Sequence, residues 1–166
     1  MKNLELRKAV LGDEEMLAVI QVQSWRSAFR DILSPDDLTH YTDLEKVQEM
    51  YNYVLSQTPT HIWIVSIDGQ PHAMAAWGDN RDGFDSDMAE LICIHSLPNN
   101  WRKGYGSCLM RQVLTDIQQA GYRGVVLWVF EKNSRARQFY EKHGFSSTEQ
   151  TRANFNATER LYRKIF

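Results

Sequence analysis

The residue types best suited to chemistry fall in two stretches. In the first, Trp101-Arg102-Lys103-Gly104-Tyr105-Gly106-Ser107, two glycines stand one residue apart where an apolar run gives way to a helical pattern. Glycines at such a junction let the backbone turn tightly and approach a ligand. The helix start adds unpaired N–H groups and the positive end of the peptide dipole. Arg102, Lys103 and Arg111 supply positive charge, and no acid occurs between Leu97 and Gln112. The combination describes a phosphate or pyrophosphate cradle; a plain turn decorated with basic residues has the same local sequence. A nucleoside-triphosphate loop of the form G-x-x-x-x-G-K-[ST] is absent. A dinucleotide fingerprint fails because Leu109 stands where its third glycine is required.

The second stretch runs from Asn133 to Phe145, Asn-Ser-Arg-Ala-Arg-Gln-Phe-Tyr-Glu-Lys-His-Gly-Phe. Asn133 suits a helix N-cap, Gly144 the left-handed position after a helix end, and Ala136, Phe139, Tyr140 and His143 share one face. Read locally, Tyr140 is either a half-buried packing tyrosine or a phenol offered to a ligand.

These stretches need elements to hold them. Residues 4–10 alternate loosely as a strand. Asp13, with Glu14 and Glu15 behind it, opens a helix in which Ala18, Val22, Trp25 and Phe29 line one face. A second helix is expected to open at Ser34-Pro35-Asp36-Asp37 and run towards Leu55. Strands at 61–67 and 71–77 flank the hairpin dipeptide Asp68-Gly69, and a polar loop spans residues 80–87. A strand at 90–96 leads through the glycine turn into a helix with Leu109, Val113 and Ile117 on its apolar face, closed by Gly121. The continuous apolar run 125–130 then reads as a strand buried on both faces, joined to its predecessor by a right-handed crossover and therefore parallel to it. The helix at 133–143 and strands near 145–149 and 159–165 complete an α/β or α+β domain around a mixed sheet. No linker or repeat divides residues 1–166, so a single domain is expected.

Composition limits the function classes. The chain has 166 residues, is 43% hydrophobic and carries 19 basic against 21 acidic side chains, so a general nucleic-acid binder is disfavoured. No apolar run reaches membrane-spanning length, and the segment Met1-Lys2-Asn3-Leu4-Glu5 lacks a secretory pattern. Cys93 and Cys108 both lie in apolar stretches, as free thiols in a reducing compartment would. A cytoplasmic globular domain is the expectation, with no metal, nucleic-acid or membrane partner.

The Asn133–Phe145 string closely resembles the N-x-x-A-x-x-F-Y-E-K-x-G-F motif of the GNAT N-acetyltransferase superfamily. The segment from Ala89 to Pro98 resembles that family's fourth strand, Leu127-Trp128-Val129 its fifth, and the glycine turn its Q/R-x-x-G-x-G/A signature. Gln23 to Arg30 and the βααβββαβαββ order match as well. The resemblance implies a mostly antiparallel sheet of about seven strands with a splayed parallel β4/β5 pair, flanked by about four helices. It also implies acetyl-CoA as co-substrate in the gap between the splayed strands. By that carry-over, backbone groups of Ile94, His95 and Ser96 pair with the pantetheine amides, and amides from Arg102, Lys103, Gly104, Tyr105, Gly106 and Ser107 hold the pyrophosphate. Asn133 holds the cofactor arm, and Tyr140 points its hydroxyl at the thioester sulfur as the acid for the thiolate.

Trp101 stands where the signature has Gln or Arg, which implies loss of one side-chain contact while the backbone amides remain. Glu90 stands fourteen residues before Gly104, where some relatives carry a catalytic glutamate; a structural or solvent-facing glutamate is the plainer reading. His95 and relayed water are other candidate bases. The acceptor, a primary amine of a small molecule or peptide, is expected near Trp25, Phe29, 31–37 and 151–158. Asp79, Asp82, Asp85 and Asp87 form either a cation-attracting or a merely solvated loop. A non-catalytic CoA-binding sensor, and an acyltransferase using another acyl donor, are the alternative functions. Many relatives dimerise, which leaves a homodimer open.

Overall fold

The computed structural model describes residues 2–83 and 85–166, residue 100 by its backbone, so Met1 and the Phe84 position of the polar loop lie outside the described residues. The chain builds one seven-stranded sheet in the order β1-β2-β3-β4-β5-β7-β6. Its strands are β1 (Leu4–Lys8), β2 (His61–Ile67), β3 (Gln70–Asp79), β4 (Met88–Ser96), β5 (Gly124–Phe130), β6 (Ser146–Asn154) and β7 (Ala157–Ile165). Every pairing is antiparallel except that of β4 with β5. The Asp68-Gly69 turn is as expected, both residues having positive φ (52° and 77°), as a two-residue type I′ hairpin requires.

One face of the sheet carries α1 (Glu14–Ala28) and α3 (Leu44–Gln57), with the short α2 (Pro35–Tyr41) between them in the chain; the other carries α4 (Tyr105–Gln119) and α5 (Ser134–Lys142). Each face has its own core. Leu17, Ile20, Ile64 and Met74 bury against α1 and α3, while Trp77, Leu109, Ile117 and Leu127 bury beneath α4.

Two local readings are corrected. The helix expected from Ser34 towards Leu55 is two helices, because Thr42 ends the first by donating Oγ to the Leu38 carbonyl (2.6 Å). Asp43 starts the second by accepting from the Lys46 N–H (3.1 Å). Arg26 of α1 locks the break by donating to Thr42 Oγ1 (3.1 Å) and to its carbonyl (2.9 Å). Asp13 precedes α1 but does not cap it with its side chain. Its carboxylate instead accepts both Arg7 guanidinium nitrogens (2.7 and 2.9 Å) and the Val10 N–H (2.8 Å), since a charged bidentate partner outcompetes a neutral amide.

The feature that matters for function lies at the centre of the sheet. β4 and β5 pair over only three residues, Met88–Gly124, Ala89–Val125 and Glu90–Val126, and then separate. A register slip against β3 leaves Ile92 as an extra residue in β4, a bulge of the kind that bends and twists a strand. Beyond Glu90, β4 therefore carries backbone polar groups on its β5 side with no partner strand. At the paired end, Gly124 is required by close approach. A Cβ there would collide with the Lys164 carbonyl oxygen and lie 2.9 Å from Met88 Cε. Gly124→Ala is expected to destabilise the fold by about 1–3 kcal/mol, as overpacking does, read as a lower midpoint in urea unfolding.

Candidate functional site

The divergence of β4 and β5 opens a cavity of about 590 Å³ between the end of β4, the glycine turn and α5. Gly104 stands at the N-cap of α4 with φ 84°, and the first bond of that helix runs from the Cys108 N–H to the Gly104 carbonyl (3.1 Å). The N–H groups of Tyr105, Gly106 and Ser107 thus precede any intrahelical acceptor, and all three residues line the cavity. A Cβ added at Gly104 would meet open space, so it is the left-handed backbone that calls for glycine here. Arg102, Arg135 and Lys142 line the same cavity and no carboxylate does, giving it a positive interior. Unpaired amides, cationic walls and a strand edge without a partner fit a long ligand bearing both phosphates and amides.

A second cavity of about 180 Å³ lies on the α1 side of the divergence and meets the first at Ile94, Arg135, Ala136 and Tyr140. Tyr140 is 8% exposed, and among the described residues no hydrogen-bond partner holds its hydroxyl. Burial and the neighbouring Cys93 push its pKa well above the ordinary tyrosine value, and Arg135 partly offsets them, so the phenol stays protonated across the physiological range. Asn133 caps α5 by accepting the Ala136 N–H (3.2 Å), as its position predicts, and it lines the second cavity.

Of the residues expected to hold a cofactor, Ile94, Ser96, Arg102, Gly104, Tyr105, Gly106, Ser107 and Tyr140 line the first cavity. His95 and Asn133 line the second, where Trp25 and Phe29 join them, and Lys103 lines neither. Glu90 also lines neither. Arg81 takes both its carboxylate oxygens (Nε to Oε2, 3.0 Å; a terminal nitrogen to Oε1, 2.7 Å) and adds its backbone N–H to Oε2 (3.0 Å). Desolvation pushes the Glu90 pKa up, but the three bonds from Arg81 outweigh it and leave the value below normal. The acidic loop is likewise engaged: Asp79 accepts from Tyr122, Asp82 from Trp128 Nε1 (2.8 Å), and Asp85 pairs with Arg123 (3.3 Å).

Sequence reasoning did not anticipate the part that Trp101 plays in the wall, nor that Arg135, Lys142 and His72 line it. Trp101 replaces the expected polar side chain with a structural one: its Nε1 donates to the Ser96 carbonyl (3.1 Å), and the Arg135 guanidinium lies 3.2 Å from its ring centroid. Arg135 and Lys142 belong to the recognised α5 string, so its helical period was the available signal. His72 had none: a bulge between Val65 and Ser66 in the β2–β3 register leaves it as the extra residue, against the Tyr105 ring in the first cavity.

A central mixed sheet whose parallel strands diverge over an amide-rimmed, positively charged groove is the arrangement that the GNAT resemblance implied. The model of the acetyltransferase (GNAT) family matches residues 22–145, and the chain belongs to that family. It is 31% identical over 144 residues to a protein of Mycobacterium tuberculosis named a probable N-acetyltransferase, covering 86% of this chain and 80% of that one. It is 24% identical over 129 residues to the N-acetyltransferase YuaI of Bacillus subtilis, covering 77% and 72%. Among solved structures, the PaiA N-acetyltransferase of Thermoplasma acidophilum in complex with coenzyme A superposes with a TM-score of 0.80 at 19% identity, over 99% of each chain. The ribosomal-protein-alanine N-acetyltransferase of Brucella melitensis gives 0.76 at 15% identity, over 98% of this chain and 99% of that one. The protein is thus an N-acetyltransferase with the family's fold.

His95 makes the site pH-sensitive. Burial pushes its pKa down to about 4, and its Nε2 accepts a long hydrogen bond from Trp25 Nε1 (3.4 Å). An unfolded chain protonates this imidazole near 6.5, so the stabilisation present at neutral pH is lost as pH falls from there towards 4. The pKa values of His72 and His143 are lowered too and act in the same direction. Urea unfolding should lose up to about 3 kcal/mol over that window on account of His95. His95→Gln should flatten the slope.

Proposed function

We propose that this enzyme transfers an acetyl group from acetyl-CoA to the primary amine of a small molecule or peptide by direct attack on the thioester. The observation that carries the reading is the meeting of a positive, amide-rimmed cavity with a second cavity at Tyr140, a buried residue whose hydroxyl has no hydrogen-bond partner among the described residues. Acetyl-CoA, when bound, supplies the acetyl group as a thioester whose sulfur leaves as a thiolate.

The chain's own groups divide the remaining work. The unpaired edge of β4 at Ile94 to Ser96 would hold the pantetheine amides, and the N–H groups of Tyr105, Gly106 and Ser107, with Arg102 beside them, would hold the pyrophosphate. An edge N–H of β4 at Ile94 or His95 can donate to the carbonyl oxygen as negative charge develops there. Tyr140, kept neutral by burial, is the proton donor at the junction. Asn133 would reach the cofactor arm from the N-cap of α5.

For the amine proton, Glu159 is the one carboxylate among the described residues that lines the second cavity, with Oε2 accepting from Arg152 Nε (2.6 Å), and we assign it the receiving role. The His95 lone pair at Nε2 is engaged by Trp25. Glu90, taken up by Arg81, is assigned to hold the 80–87 loop on the sheet.

Steady-state kinetics with free-thiol release as readout separates these roles. Tyr140→Phe should lower kcat by about 10²–10⁴-fold, with acetyl-CoA affinity changed only a few-fold. Glu90→Gln should cost about 1.5–3 kcal/mol of stability and keep kcat per folded molecule. A large kcat loss at unchanged stability would return the base role to Glu90. Glu159→Gln should lower kcat with acetyl-CoA affinity changed only a few-fold.

A further inference from the structure

The acceptor cavity is walled by aromatic rings in an unbroken series. Trp25 and Phe29 of α1 stand edge to face with centroids 5.1 Å apart, and Phe29 meets Phe130 of β5 in the same way at 5.2 Å. Phe155 closes the other side, 6.1 Å from Trp25, and is itself backed by Tyr41 at 4.7 Å. Phe155 occupies an unusual position. It and Asn156 form the two-residue tip between β6 and β7, with φ 53° and 58°. Turns with positive φ at both central positions select glycine, asparagine and aspartate. Asn156 conforms, whereas an aromatic side chain in the left-handed region is strained. Here the strain coincides with a ring turned onto Trp25 at the cavity wall.

The charges narrow the occupant. Among the described residues Glu159 is the one carboxylate in the lining, and Arg152 already pairs with its Oε2 (2.6 Å), so little free negative charge is left for a polycation. Arg135 also lines the cavity, stacked on Trp101 and without an ion pair among the described residues, so a second positive charge on the acceptor would meet repulsion. On the 80–87 loop, Asp82 pairs with Arg152 (3.8 Å) and Asp85 with Arg123 and Arg163 (3.3 and 3.7 Å), so neither offers a free charge to a polycation. A volume of about 180 Å³ lies below the range usual for drug-sized ligands, leaving room for roughly six to ten non-hydrogen atoms.

Resting on the acetyltransferase reading above, we propose that the acceptor is a compact arylalkyl monoamine, its ring packed edge to face among Trp25, Phe29 and Phe155 and its nitrogen held between Glu159 and the Tyr140 junction. Phe155 is the specificity-determining residue, and its strained backbone is retained for that contact.

The test compares 2-phenylethylamine, spermidine and an unmodified tetrapeptide as acceptors for the whole protein, with Phe155→Gly and Phe155→Tyr alongside. 2-Phenylethylamine should exceed both other amines in kcat/KM by at least about tenfold. Phe155→Gly should raise its KM by about tenfold or more with kcat and acetyl-CoA affinity nearly unchanged. Glycine suits the left-handed tip, which offsets the lost ring contacts so that this variant folds, and Phe155→Tyr restores the KM. Preference for spermidine or the peptide, or an unchanged KM in Phe155→Gly, overturns the proposal. Turnover of none of the three also overturns it. Acetyl-CoA binding measured by calorimetry then tells that failure from failure of the acetyltransferase reading: retained binding condemns the aryl-amine assignment alone, and lost binding condemns both.

Discussion

Everything functional in this molecule depends on two parallel strands that pair over three residues and then part. In a continuous sheet the β4 edge would be saturated by β5 and no ligand could reach it. The chain enforces pairing at one end, where Gly124 admits the backbone of β7 and the side chain of Met88. It breaks pairing at the other, where the bulge at Ile92 bends β4 away. The open end leaves strand amides and the first turn of α4 facing one cavity, and no single residue of the glycine turn could create that arrangement alone.

The two cavities then differ in electrostatic character. The larger has Arg102, Arg135 and Lys142 in its wall and no acid, so its field favours phosphates before any contact forms. On the acceptor face, carboxylates and guanidiniums alternate: Arg81 on Glu90, Arg152 between Asp82 and Glu159. Burial rather than charge sets the protonation of the groups between them. Tyr140 and His95 are both held neutral by desolvation, one as a hydrogen-bond donor and the other as a packing element with an engaged Nε2. A neutral junction thus lies between a cationic groove and a mixed-charge pocket.

Local strain is concentrated at the same site. Arg102 and Phe155, neither a residue that favours positive φ, hold φ of 63° and 53° at the walls of the larger and smaller cavities respectively. The cores on the two sheet faces, with Leu17, Ile64, Leu109 and Ile117 among the side chains entirely removed from water, provide the stability that tolerates such positions.

Periodicity, capping residues and turn glycines determined the element order, the hairpin at Asp68-Gly69, the cap at Asn133 and the glycine turn, because each is a bargain between residues a few positions apart. The same local signals misread the end of α2 and the role of Asp13, where Arg26 and Arg7 decided the outcome from other elements. The site divides along that line. The motif residues on α4 and α5 were legible because a helix face repeats at short intervals. Only the tertiary structure decided that Arg81 consumes Glu90, that a bulge turns His72 into the cofactor cavity, and that Phe155 meets Trp25 across 130 residues of chain. Those outcomes depend on which distant groups are buried together, and burial is a property of the assembled sheet and helices that no short window of sequence contains.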